Sequence, residues 1–361
     1  MTPTFRRDAT LATLVVLAVV AVVSLAPPPG AGRLSGDSHD FAHVLVFGVL
    51  GLALARTLRQ LPGRGLRWTG IAAITLAVGA VAGVGTEYAQ GYTGGMPSKG
   101  DVARDLLGTA VGLCAAIALT ATTAPRTRAL LWTAAALGLL AGAIPLGGTL
   151  LDYRARDRLF PVILDPAAPR GLAFVSNSGA PVHRASLPAG LRDGGTVDVG
   201  EYDRRRRAAR EGGVDPRTLP PPLLAGDDPR APAAAPAGGA PAVVISLQRG
   251  QWPGLTFDEP VRDWRGWRSL VLDLANVGDA PLPLGFRVND LRHDNRYVDR
   301  YDTTLELPPR SRQRFAFPID AIRHAPQGRE MDLDQIAKVI VFHAGAAPGR
   351  ELYVLGLTLV R

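Results

Sequence analysis

Apolar residues are unevenly spread along this chain. Up to about residue 151 they gather in long unbroken stretches; beyond it they recur in short alternating runs separated by turn residues. Five of the long stretches, Leu11–Ala26, Phe41–Leu58, Trp68–Tyr88, Leu106–Thr123 and Ala129–Leu151, approach the roughly 20 residues that a helix needs to cross a hydrocarbon core. The pattern predicts a multi-domain chain whose residues 1–151 form an α-helical transmembrane bundle of about five helices. Gly79, Gly83, Gly85, Gly108, Gly112, Gly138 and Gly142 permit close backbone approach between those helices, where lipid offers no hydrophobic drive for packing. The first stretch follows Arg6 and Arg7 as the core of a signal peptide would. Ala26-Pro27-Pro28-Pro29 is a poor cleavage site, so a retained helix is the preferred reading.

After a polar connector, Asp152–Arg158, residues 157–361 carry a strand pattern. Phe160–Leu164 and Gly171–Val175 open it. From Pro241 on, Ala242–Leu247, Ser269–Leu274, Leu284–Val288, Thr303–Leu307, Gln313–Pro318, Lys338–His343 and Leu352–Val360 follow, with breaks such as Asn276-Val277-Gly278-Asp279 between them. Alternation of the Leu270-Val271-Leu272-Asp273-Leu274 kind predicts an all-β antiparallel sandwich, with Asp320–Arg323 and Asp332–Ile336 as brief helices. Between about residues 190 and 240 the run Arg204–Arg207, the triplet Pro220-Pro221-Pro222 and an Ala/Pro/Gly tract lack apolar surface to bury. That segment is expected to be a disordered insertion.

Composition agrees with two regions in two solvents: 47% of residues are hydrophobic, 20% are charged, and the mean hydropathy is +0.11. The net charge of +8 sits largely in short loops beside apolar stretches, with no aromatic-interleaved basic motif, which argues against nucleic acid. Arg6 and Arg7, then Arg56, Arg59, Arg64 and Arg67, then Arg126 and Arg128 fall in alternate loops, which belong in the cytoplasm. The opposing loops offset Arg33, Lys99 and Arg104 with Asp37, Asp40, Asp101 and Asp105. An odd number of spans then puts the C-terminal region outside, periplasmic if the membrane is a bacterial inner membrane. Cys114 is the one cysteine, so no intramolecular disulfide forms and no multi-cysteine metal site exists.

Candidate chemistry in the first half is a polar set: His39, Asp40 and His43 at the outer end of the second span, Glu87 and Gln90 at that of the third, and Asp101 and Asp105 leading into the fourth. Ionisable groups at membrane depth are costly unless they face the bundle interior or water, so convergence from three helices marks a site. The plainer alternative is that Asp101 or Asp105 caps its helix; the two readings weigh evenly. The run His39-Asp40-Phe41-Ala42-His43, then Glu87-Tyr88-Ala89-Gln90, then Pro97-Ser98, Asp101 and Asp105-Leu106-Leu107-Gly108 resembles the VanZ-like membrane domain over about Thr10–Thr123. The resemblance implies a link to glycopeptide resistance and the bacterial cell envelope, with no biochemical activity attached.

In the second half, Trp252-Pro253-Gly254-Leu255, Asp263-Trp264-Arg265-Gly266-Trp267, Asn289-Asp290-Leu291-Arg292-His293 and Arg296-Tyr297 through Tyr301 resemble a galactose-binding-type jelly roll, a carbohydrate-binding-like module. A sugar site needs aromatic faces for pyranose C–H groups and planar polar side chains for hydroxyls. Trp252, Trp264, Trp267, Asn289, Asp290, Arg292, His293 and Tyr297 supply both. Trp264 or Trp267 taken singly is more readily a core residue. The acid-rich loop Asn289–Asp302 does not match a calcium-loop spacing, so no metal is expected, nor any cofactor. Nucleophile-elbow, zinc-protease, phosphate-loop and dinucleotide motifs are absent, and Asp258, Glu259 and Asp263 read as surface carboxylates, so the chain is read as more a binder than an enzyme. Three functions follow. The first is a membrane protein contacting lipid that presents the sandwich to a glycan or cell-wall polymer. The second is a membrane enzyme or transporter acting on an envelope precursor or lipid through Glu87, Asp101 and Asp105. The third is a scaffold docking a protein partner of unknown identity.

Overall fold

The computed structural model describes residues 32–61, 66–92, 98–120, 122–177, 181–211, 239–247, 252–343 and 349–361. They divide into two compact units, Met1–Leu151 and Asp152–Arg361.

The first unit is built from helices α1 (Arg33–Gln60), α2 (Trp68–Tyr92), α3 (Lys99–Ala118) and α4 (Pro125–Leu159), the last continuing into the second unit. Among the described residues three helices, α1, α2 and α4, are long and apolar enough to cross a membrane, not five. The stretch Leu11–Ala26 lies outside the described residues. The fourth expected span exists as helix α3, but it starts at Lys99 and carries Asp101, Arg104 and Asp105 in its first two turns, so it is not among the three by composition. Ser98 caps that helix by accepting the Gly100 N–H at 3.1 Å.

The α1–α3 seam is made by glycines. A Cβ on Gly112 would sit 1.9 Å from the Gly48 carbonyl oxygen, and one on Gly108 would sit 2.4 Å from the Val44 carbonyl. The backbones therefore touch, as small-residue helix pairs do in lipid. On α2, Gly79 and Gly83 admit Thr109 and Asp105 of α3 in the same way. Val81, Leu130 and Ile144 point outward, each more than half exposed, which suits an apolar solvent.

The second unit is a β-sandwich. Its strands are β1 (Val162–Leu164), β2 (Val175–Asn177), β3 (Val182–Ser186), β4 (Arg192–Asp198), β5 (Pro241–Leu247), β6 (Gly254–Asp258), β7 (Ser269–Asn276), β8 (Leu282–Asp290), β9 (Tyr301–Leu307), β10 (Ser311–Pro318), β11 (Ile336–His343) and β12 (Arg350–Val360). One sheet runs β3-β5-β12-β7-β10-β4 with β1 also on β12; the other runs β2-β6-β11-β8-β9. Every pairing is antiparallel except β4 with β10. All seven strands expected after Pro241 are present.

The period-2 pattern explains the layers. On β9, Tyr301, Thr303, Leu305 and Leu307 are buried while Asp302, Thr304 and Glu306 face out. Across the sandwich Phe286 and Phe317 stack at 3.8 Å between centroids, inside a core that also takes Leu272, Ile245, Val341 and Trp264. Asn276 organises the expected turn: its amide donates to the Ala280, Leu307 and Pro308 carbonyls, and its oxygen accepts the Gly278 N–H.

Three expectations are corrected. The connector Asp152–Arg158 is not a linker but the end of α4, with Arg156 donating to the Glu259 carbonyl at 2.9 Å. The supposed insertion contains strand β4 and helix α5 (Val199–Glu211), because Thr196 and Val197 bury against the parallel neighbour β10; residues 212–238 lie outside the described residues. Asp332–Ile336 is a turn leading into β11, whereas Asp320–Arg323 does form a helix, α6 (Ile319–Arg323).

Candidate functional site

In the first unit the structure brings the polar set together. His43 of α1 and Asp105 of α3 are wholly buried, with Nδ1 2.8 Å from Oδ1. Glu87 of α2, also buried, accepts the Ser98 N–H through Oε2 at 2.5 Å, so this carboxylate supports the start of α3. The His43 Nε2, the Asp105 Oδ2 and the Glu87 Oε1 are buried and have no hydrogen-bond partner among the described residues. Arg104 bridges Asp40 at 2.7 Å and Asp101 at 2.5 Å. His39 meets His43 edge-on at 4.9 Å, and Gln90 is half-buried one turn beyond Glu87. Asp105 therefore does not cap its helix; Ser98 does, and Asp105 is spent on an imidazole.

In the second unit the loop after β8 is organised by a residue the sequence did not single out. Arg329, following Gly328 in the left-handed region (φ 80°), grips the buried Asp290 at 2.5 and 2.9 Å and Asp299 at 2.5 Å. Asp290 also accepts the Asp332 N–H, Asp299 accepts the Asp294 N–H, and the His293 Nδ1 lies 2.8 Å from the Asp299 carbonyl. The Arg329 guanidinium holds the Asp299 carboxyl well below the usual carboxylate range. His293, Asp294 and Asp299 have ligand-type atoms within 4.8 Å of one another, but the Asp299 oxygens are committed to protein donors. Asp290 and His293 thus shape the loop, and nothing in the local sequence pairs Asp290 and Asp299 with Arg329, about 30 to 40 positions away.

The remaining expected ligand residues scatter. Trp264 is fully buried, its indole N–H donating to the Val261 carbonyl at 2.9 Å, so it has no face to offer a sugar. Trp267 is partly buried, edge-on to Phe160 at 5.4 Å and covered by Arg361. Arg292 is exposed. Asn289 is half-buried on the outer face of β8, with Oδ1 unpartnered among the described residues.

Trp252 and Tyr297 are different. Trp252 is 56% exposed and stands edge-on to Phe342 at 5.5 Å. Phe342 lies flat over Gly285, where a Cβ would come within 2.2 Å of its ring, so glycine at that position is required by the close approach. The Arg287 guanidinium lies 5.1 Å over Phe342 and donates to Asp302 at 3.0 Å. Arg300 donates to the same Asp302 oxygen at 3.0 Å and lies 4.6 Å from the Tyr297 ring, which is 69% exposed. The result is a continuous line of aromatic faces and planar charged groups across the outer face of the five-stranded sheet. The alternation of β8 and β9, which sends Arg287 and Asp302 outward, is the sequence signal that locates it.

No family model matches the chain, and no curated protein matches it either. Solved structures similar to it include a family 11 carbohydrate-binding module from Clostridium thermocellum, in complex with a beta-1,3-1,4-mixed-linked tetrasaccharide. It is 14% identical, covers 55% of this chain and 93% of its own, and has a TM-score of 0.31. An exo-beta-agarase is 11% identical, covering 55% and 24%, with a TM-score of 0.33. A CBM4 structure is 18% identical, covering 34% and 73%, with a TM-score of 0.23. At such scores the sandwich assignment rests on the strand order and register described above.

Proposed function

We propose that this chain is a membrane-anchored glycan-binding protein of the bacterial cell envelope. In this reading the helical unit is VanZ-like and sits in the inner membrane with the N-terminus in the cytoplasm, while the sandwich faces the periplasm. The observation that carries the binding role is the strip from Trp252 through Phe342, Arg287, Asp302 and Arg300 to Tyr297. It offers exposed aromatic faces at both ends and paired donors and acceptors between them. Aromatic faces take the C–H side of a pyranose, and fixed arginine and aspartate groups take its hydroxyls, so an extended saccharide is the ligand chemistry that fits. Three helices of spanning character support the anchor; with α3 also crossing, its polar first turns at the outer surface, the arginines before α2 and at the start of α4 fall on one side and support the orientation.

The test is binding of the full chain in detergent micelles to immobilised β-linked glycans, including peptidoglycan-type polymers. Saturable binding that drops about tenfold in Trp252→Ala and in Tyr297→Ala, with unfolding curves unchanged, supports the reading. A folded chain that binds none of them, or whose binding ignores both substitutions, overturns it.

A second reading is favoured by the buried His43–Asp105 pair with its unpartnered outer atoms, which fits a membrane-embedded site acting on an envelope precursor or lipid. Deleting the sandwich separates the two, since membrane-site activity survives that deletion and is abolished by Asp105→Asn.

A further inference from the structure

Tyr301 presents a puzzle at the first position of β9. Its ring is inside the sandwich, edge-on to Phe286 and Phe317 at 6.3 Å each, and only 5% of the residue is exposed. Its hydroxyl has no hydrogen-bond partner among the described residues. Burial, with Asp203, Asp198 and Asp302 nearby, pushes the phenol well above its ordinary range, so it remains an O–H donor at physiological pH. A buried donor left unpaired costs free energy, and phenylalanine would fill the same space without that cost. The described residues therefore supply no acceptor for this hydroxyl.

Tyr301 lines a cleft of about 620 Å³ whose other walls include Asp203 and Arg204 of α5, Tyr297, Arg300 and Asp302 beside β9, and His324 after α6. Tyr297, Arg300 and Asp302 also form the end of the strip, so strip and cleft are continuous. Thr303 donates to Asp203 at 2.9 Å and thereby ties α5 across the edge of the sandwich just beyond β9. A chain laid along the strip and past Tyr297 meets α5. The volume exceeds one sugar ring and lies in the usual range of ligand pockets.

We propose that this cleft receives the terminal residue of the saccharide, with the Tyr301 hydroxyl donating to one of its oxygens, so that the protein recognises chain ends rather than chain interiors. This rests on the glycan reading of the strip. Arginine and aspartate side by side at the cleft offer the paired donors and acceptors that vicinal hydroxyls on a terminal ring require.

The test is calorimetric titration of the full chain in detergent micelles with linear tetrasaccharides of β-1,4-glucose, β-1,3-glucose and β-1,4-N-acetylglucosamine and with the matching long polymers. The expected result is that sites titrate with moles of chain ends, not with sugar mass. Tyr301→Phe, which keeps the ring in the core, weakens tetrasaccharide binding about five- to tenfold, and its unfolding midpoint is equal to or above that of the wild type. Arg204→Ala, at an exposed position that does not threaten the fold, weakens it about threefold or more. Binding that scales with polymer mass, falls in Trp252→Ala and ignores both Tyr301→Phe and Arg204→Ala overturns the end-recognition proposal while the strip stands. Absence of binding to every saccharide removes the strip reading and this proposal together.

Discussion

Replacing Arg329 with alanine is expected to be among the most damaging single changes in the sandwich. The guanidinium satisfies two carboxylates: Asp290, whose side chain is fully buried, and Asp299, nearly so. With it gone, Asp290 retains, among the described residues, only the Asp332 N–H. Removing one partner of a buried ion pair costs about 3–5 kcal/mol, because the other charge stays out of water uncompensated. For a unit of this size each kcal/mol moves the midpoint about 2–4 °C, so the expected drop is roughly 6–20 °C. The readout is thermal unfolding of the full chain in detergent, followed by the emission of buried Trp264. The pH dependence has a sign. The Asp299 carboxyl is depressed in the folded state, so its contribution is fully present above the ordinary aspartate range, about pH 4, and is lost as pH falls through the lower folded value. Arg329→Ala should therefore flatten the acid limb of the stability curve as well as lower its plateau. A loss below about 1 kcal/mol with the acid limb unchanged would refute the clamp.

Other expectations follow from packing. Gly112→Ala puts a methyl 1.9 Å from the Gly48 carbonyl and must part α1 from α3, so the helical unit should lose about 1–3 kcal/mol; unchanged melting by far-ultraviolet circular dichroism would contradict the seam. Trp264→Ala empties a fully buried site and leaves the Val261 carbonyl without its indole donor. It should cost about 3–5 kcal/mol while leaving saccharide affinity intact under conditions where the protein is folded, whereas Trp252→Ala should do the reverse. Gly285→Val should displace Phe342 from its seat and weaken saccharide binding severalfold in titration; wild-type affinity in a folded Gly285→Val protein argues that the Phe342 seat plays no part in binding. For the buried imidazole pair, a double-mutant cycle of His43→Ala and Asp105→Ala should show a coupling of about 0.5–3 kcal/mol in thermal unfolding, and strict additivity would mean the contact carries no weight.

What was legible in the residues one by one was local. Long apolar runs marked α1, α2 and α4, because a helix in lipid must be apolar along its length, and alternating runs marked seven of the eight strands from Pro241 on, all but β6, because a half-buried strand repeats every two residues. The convergence of His43, Glu87 and Asp105 was also visible, since each sits at a fixed place on a helix of known period. Lys99, Asp101, Arg104 and Asp105 make the start of α3 polar, which is equally legible in the composition. Strand β4 was hidden because its first half, Arg192-Asp193-Gly194-Gly195, is polar and glycine-bearing; it is held by pairing with β10, more than a hundred residues on. The site in the sandwich was decided by tertiary structure for the same reason. Trp252 and Trp264 are equally aromatic on paper, yet one packs under the sheet and the other stands over Phe342, and which face a side chain meets depends on strands brought together from distant sequence. Composition set the kinds of chemistry present in this protein. Register and packing chose which side chains were consumed by the core and the Arg329 clamp, and which were left facing solvent.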